Sequence, residues 1–120
     1  FLTITKQQGA RSISAPYAQT DPNLLLAGYF TSQRQIQQDP NLVKAFTAAM
    51  SESLTYAQAH PDQARAILST YTDIDPAVQK AMVMPRFPDK LDEKAVQLVA
   101  DLSLKYGLIH TRLDAASLLR

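Results

Sequence analysis

The sequence predicts a mostly helical chain carrying one or two short strands of the kind found in an α/β sheet. Three observations lead there. Helix starts recur at Asp39-Pro40, Pro61, Asp75-Pro76 and Leu91. Leu24-Leu25-Leu26-Ala27-Gly28-Tyr29-Phe30-Thr31 is a continuous apolar run whose length suits a strand buried on both faces. Breakers separate these segments, among them His60-Pro61, Met84-Pro85-Arg86-Phe87-Pro88 and Gly107.

Each element has a local reason. Phe1 to Gln8 reads as a short helix, because Lys6-Gln7-Gln8 precede Gly9 in the manner of a left-handed cap; a strand over Phe1, Leu2 and Ile4 is the alternative. Arg11-Ser12-Ile13-Ser14 reads as a short strand. Ala15 to Asn23 contains Pro16 and Pro22, which push their predecessors away from the α region, so this stretch reads as a loop or extended crossover. A helix over the next run, capped by Asp21 with Pro22 at its first position, is disfavoured by Gly28 and by Tyr29-Phe30-Thr31. Ser32 to Gln38 is polar, with room for one helical turn.

From Asp39 the pattern is helical. The Asp39 carboxylate suits an N-cap, and Pro40 fills the first position, where its missing N–H costs nothing. The helix runs to Ala59 with an apolar stripe at Val43, Phe46, Met50, Leu54 and Ala57. Pro61 to Tyr71 is predicted to follow, with Ala64, Ile67, Leu68 and Tyr71 on one side. Asp75-Pro76 opens a short helix to about Val83, and Asp89 or Leu91 a longer one to Tyr106, with Val96, Val99, Leu102 and Tyr106 on one face. Gly107 ends it, and Leu113 to Leu119 forms a last short helix whose positive end Asp114 favours.

Composition narrows the function. A chain of 120 residues, 46% hydrophobic and 19% charged, is sized for one ordinary domain. Its net charge of +1, with Lys and Arg interspersed among Asp and Glu, marks no nucleic-acid surface. The absence of cysteine excludes disulfides, thiolate catalysis and zinc–cysteine sites, though it does not fix the compartment. No apolar run reaches the roughly 18 residues of a bilayer span. The first residues, Phe1-Leu2-Thr3-Ile4, suit either a matured terminus or a piece of a longer protein.

Chemistry-bearing patterns are sparse. His60 and His110 stand at helix junctions with no Gly-x-Ser-x-Gly elbow to serve. Asp73 with Asp75, and Asp92 with Glu93, sit where helix N-termini favour negative charge, so capping explains them better than acid–base catalysis. No His, Asp and Glu cluster has metal-ligand spacing, and the three glycines form no phosphate loop. Tyr17, beside Pro16, could line a pocket or simply pack over its loop. Tyr29-Phe30 reads as core packing ahead of ligand contact, and Met82 and Met84 as packing filler.

Several stretches in order resemble a known family: Gly9-Ala10-Arg11-Ser12-Ile13, the link to Leu24–Ser32, Asp39 through Phe46, His60-Pro61-Asp62-Gln63-Ala64, Leu91-Asp92 through Asp101-Leu102, and Tyr106-Gly107-Leu108-Ile109. The family is the substrate-binding components of ABC importers, in the group handling nitrate, sulfonates, taurine and thiamine-pyrimidine precursors. Its members are more than twice as long, so the resemblance implies that this chain corresponds to their C-terminal part. They have a periplasmic-binding-protein-like α/β fold of two lobes, closing on ligand by hinge bending. On that pattern residues 1–14 end the second lobe, 15–23 form the hinge crossover, and 24–120 belong to the first lobe with its wrapping helices. The resemblance implies no catalysis and no cofactor, an extracytoplasmic location, a small polar or heteroaromatic ligand, and an ABC permease as partner.

Position near the crossover makes Tyr17, Asp21 and Asn23 the expected ligand contacts, Tyr17 by stacking or hydrogen bonding and Asn23 through its amide. A strand at Leu24–Ser32 without its flanking sheet exposes ladder edges, so a homodimer or strand exchange is also expected. A helical protein–protein interaction module is the rival reading. An enzyme of the related pyrimidine-precursor synthesis type ranks last, because it needs a His and Cys set absent here.

Overall fold

The structure is a computed structural model describing residues 1–119, and the elements in them are helical. They are α1 (Leu2–Gln7), α2 (Pro16–Thr20), α3 (Gln33–Gln38), α4 (Pro40–Ala59), α5 (Pro61–Ala66) continued by a 3-10 turn (Ile67–Thr70), α6 (Pro76–Ala81), α7 (Glu93–Lys105) and α8 (Ala115–Leu118). The chain divides into two compact units, one of Phe1–Ser14 with Arg34–Asp89, the other of Ala15–Gln33 with the chain from Lys90 onward.

The helix starts follow the expected aspartate chemistry. Asp39 Oδ1 accepts from the Leu42 amide at 3.0 Å, and Asp75 Oδ1 from those of Ala77 and Val78 at 2.8 and 3.2 Å. Asp92 and Asp114 do the same for the Lys94 and Ala116 amides at 2.8 and 3.3 Å. Each carboxylate satisfies an N–H that the first turn leaves unpaired. With Asp92 as cap, α7 begins at Glu93 rather than at Asp89 or Leu91. Gly9 and Gly107 follow α1 and α7 with φ of 92° and 75°, the left-handed geometry that closes a helix end. Helix α6 stops at Ala81, short of Val83.

The first unit is held by α1 against α6 and by α4 running into α5. His60 is at once the C-cap of α4 and the N-cap of α5. Its ring stacks on Tyr56 with centroids 4.1 Å apart, while the Tyr56 hydroxyl donates to Gln63 Oε1 across the bend. The α4 stripe is half-buried at Val43, Met50, Leu54 and Ala57, but Phe46 is exposed. Farther on, the Gln58 side chain accepts from the Phe87 amide at 2.7 Å and tethers the proline-rich segment to α4. Of the side shared by Ala64, Ile67, Leu68 and Tyr71, Ile67 and Tyr71 are exposed.

In the second unit α8 packs on α7, and the buried residues Ala95, Ala100 and Ala115 lie on this pair of helices. Small side chains let the backbones approach, whereas Val96, Val99 and Leu102 are half-buried and Tyr106 is exposed.

Three expectations need correction. Arg11–Ser14 forms no strand; Ser12 Oγ donates to Ser14 O at 3.0 Å, a local bond that replaces a ladder bond. Leu24–Ser32 forms none either: among the described residues no backbone ladder runs through it, and Tyr29 and Phe30 are exposed rather than packed in a core. Ala15–Asn23 is not wholly loop: Pro16, at the first position of α2, starts a short helix.

Accessible surface sets the scale of what is left uncovered. The chain exposes 10039 Å², where a folded monomer of its mass exposes about 6,500 Å², and two separate bodies of these sizes about 7,800 Å².

Candidate functional site

Tyr17, Asp21 and Asn23 fall within one short stretch of the second unit, built around α2 and the turn that ends it. Pro16 presets the backbone of the first helical position, and Thr20 Oγ1 donates back to Pro16 O at 2.8 Å. Asp21 leaves the helix in an extended conformation, its N–H donating to Tyr17 O at 3.1 Å. Its side chain then turns the chain: Asp21 Oδ1 accepts from the Asn23 amide at 2.6 Å, while Asp21 O accepts from the Leu24 amide at 3.1 Å. This is an Asx turn superimposed on a β-turn.

The three side chains differ in exposure and in what they hold. Asp21 is half-buried, and its carboxylate shapes the turn. Tyr17, one helical turn earlier, is 66% exposed and presents an aromatic face with a polar tip. Asn23 is exposed at the turn's far side and carries an amide that both donates and accepts.

Two cavities lie elsewhere, and none of these three residues lines either. In the first unit a cavity of about 220 Å³ is lined by Asp62, Arg65, Ala66, Pro76, Gln79 and Lys80. Its polar groups are engaged: Arg65 Nη1 donates to the carbonyls of Gln79 and Met82, each at 2.7 Å, and Gln79 Nε2 donates back to Arg65 O at 2.6 Å. In the second unit a cavity of about 340 Å³ is lined by Gln97, Arg112, Leu113 and Asp114. Gln97 Nε2 donates to Asp101 Oδ1 and Leu113 O at 2.9 and 3.1 Å, and its Oε1 accepts from the Ala115 amide at 2.9 Å. These amide and guanidinium clamps were not foreseen from sequence. The one local hint was a glutamine inside the apolar run Val96-Gln97-Leu98-Val99.

The two histidines occupy structural positions. His60 Nδ1 lies 2.9 Å from Tyr56 O, so the tautomer protonated there donates to the end of α4. His110 is exposed in a bend. Among the described residues, no group of three or more His, Asp and Glu side chains could hold a metal ion, and no helix is long and apolar enough to cross a membrane.

Residues 3–64 match the family described as NMT1/THI5 like, over just more than half of the chain, and the chain belongs to that family. The family is one of ABC-transporter substrate-binding proteins for nitrate, sulfonates and thiamine precursors, and it also includes a thiamine-synthesis protein. No curated protein and no solved structure matches the chain. The matched span contains all of α1 but its first residue, α2 to α4, and all three of Tyr17, Asp21 and Asn23.

Proposed function

We propose that this chain is part of an extracytoplasmic solute-binding protein that delivers a small polar or heteroaromatic ligand to an ABC importer, without itself catalysing a reaction. The family match over residues 3–64 carries this reading. Tyr17 and Asn23 would contact the ligand, and Asp21 would hold the turn that sets them relative to each other. Residues 1–14 would close the second lobe of a two-lobed α/β parent, 15–23 would be the hinge crossover, and 24–120 would belong to the first lobe. The large uncovered surface supports a chain that packs against further structure in its parent. The same exposure favours a second reading, a helical module that binds a partner protein through apolar helix faces.

The two readings part on ligand binding. Titrating the intact gene product with alkyl sulfonates, nitrate and pyrimidines should give saturable binding of one class, and Tyr17→Ala should weaken it at least several-fold. Saturable binding that Tyr17→Ala and Asn23→Ala both leave unchanged would remove these residues from the site. Absence of any small-molecule binding would favour the interaction module.

A further inference from the structure

We propose that the cavity of the second unit binds a short-chain carboxylate that also carries an N–H or O–H donor, such as an amino acid or a hydroxy acid. The inference is independent of the solute-binding reading. The lining residues Gln97, Arg112, Leu113 and Asp114 all lie outside the span matched to the family.

The frame around this cavity is the best-covered part of the chain. Among the described residues, the buried ones are Ala95 and Ala100 on α7 and Ala115 on α8. Gln97 is half-buried and fixed from three directions, by Asp101 Oδ1, Leu113 O and the Ala115 amide. A lining held by bonds of its own keeps its geometry without a ligand.

That lining sets the chemistry of the occupant. The Arg112 guanidinium has no hydrogen-bond or ion-pair partner among the described residues. Its planar fork of N–H donors is therefore uncommitted, and such a fork matches a carboxylate bidentately. Leu113, 40% exposed, offers apolar surface to a short carbon skeleton. The remaining polar groups can only accept. Asp114 gives one carboxylate oxygen to the Ala116 amide at 3.3 Å and keeps the other. Gln97 has committed its N–H groups to Asp101 and Leu113, and its Oε1 retains a lone pair beyond the bond from Ala115. A cation and two acceptors beside one apolar side chain complement an anionic group and a donor on one small skeleton. Asp114 repels a second negative charge, so dicarboxylates, sulfate and phosphate fit less well. The volume of about 340 Å³ is at the small end of the range of ligand pockets, about 300–1,000 Å³.

NMR titration of the nitrogen-15-labelled intact gene product tests the assignment with four probes. Lactate and alanine carry both groups, propionate lacks the donor, and lactamide lacks the charge. Lactate or alanine should shift the Gln97 side-chain amide and the Ala115 and Ala116 backbone amides saturably. Propionate and lactamide should bind at least about tenfold more weakly. Arg112→Gln should weaken lactate or alanine by at least about tenfold. It should leave the far-ultraviolet circular dichroism unchanged, because the guanidinium holds no bond in the fold. Asp114→Asn keeps an oxygen for the Ala116 amide but loses the charge, and it should weaken alanine more than lactate. Absence of saturable shifts with both lactate and alanine would overturn the proposal. So would propionate binding as tightly as lactate, or shifts that Arg112→Gln leaves unchanged.

Discussion

Gln97 makes three side-chain hydrogen bonds in the second unit. It bridges α7 to the segment before α8 by donating to Leu113 O and accepting from the Ala115 amide. Ala115 is 1% exposed, so removing its acceptor leaves a buried N–H without a partner. Gln97→Leu should therefore cost about 1–3 kcal/mol in urea unfolding and speed hydrogen exchange at Ala115 most of all. Arg65 plays the corresponding part in the first unit, reaching two carbonyls at the end of α6. Arg65→Met keeps much of the stem but loses both bonds, for an expected cost of about 2 kcal/mol. Neither clamp was legible in the sequence, since their partners lie 14 to 18 positions away. A local reading sees a glutamine or an arginine, not the carbonyl it reaches.

At the scale of elements, legibility tracked how local the cause was. The aspartates before α4, α6, α7 and α8 act within three residues of themselves, and the sequence placed all four helices. Asp39→Ala removes the bond to the Leu42 amide and should destabilise the chain by about 0.5–2 kcal/mol, read as a lower urea midpoint. Gly107, at φ 75°, is the left-handed residue closing α7. Gly107→Ala should cost roughly 1–2 kcal/mol from backbone geometry alone, because a Cβ there meets no neighbour within 4 Å. Helix α2 is hard to see in the sequence because Pro16 both pushes Ala15 out of the α region and suits a first helical position, and only the second effect starts a helix. The strands at Arg11–Ser14 and Leu24–Ser32 were misjudged for a different reason. Composition shows that a segment is able to pair, but a strand exists only where a partner lies beside it.

For the molecule as a whole, the apolar faces read from sequence are real but incompletely covered. Only alanines are buried among the described residues, and large side chains such as Phe30 and Tyr106 face solvent. Periodicity predicts which face of a helix is apolar, not what covers it. The family was legible from the order of several short stretches, and the match over residues 3–64 bears it out. For the candidate site, sequence supplied the residues Tyr17, Asp21 and Asn23, while the Asx turn that holds Asp21 to Asn23 emerged only with coordinates. Calorimetric titration of the intact gene product with taurine, nitrate and a pyrimidine thiamine precursor tests the solute-binding role most directly. That role predicts stoichiometric, saturable binding of one of them, weakened at least several-fold by Tyr17→Ala; no saturable heat with any of the three would contradict it.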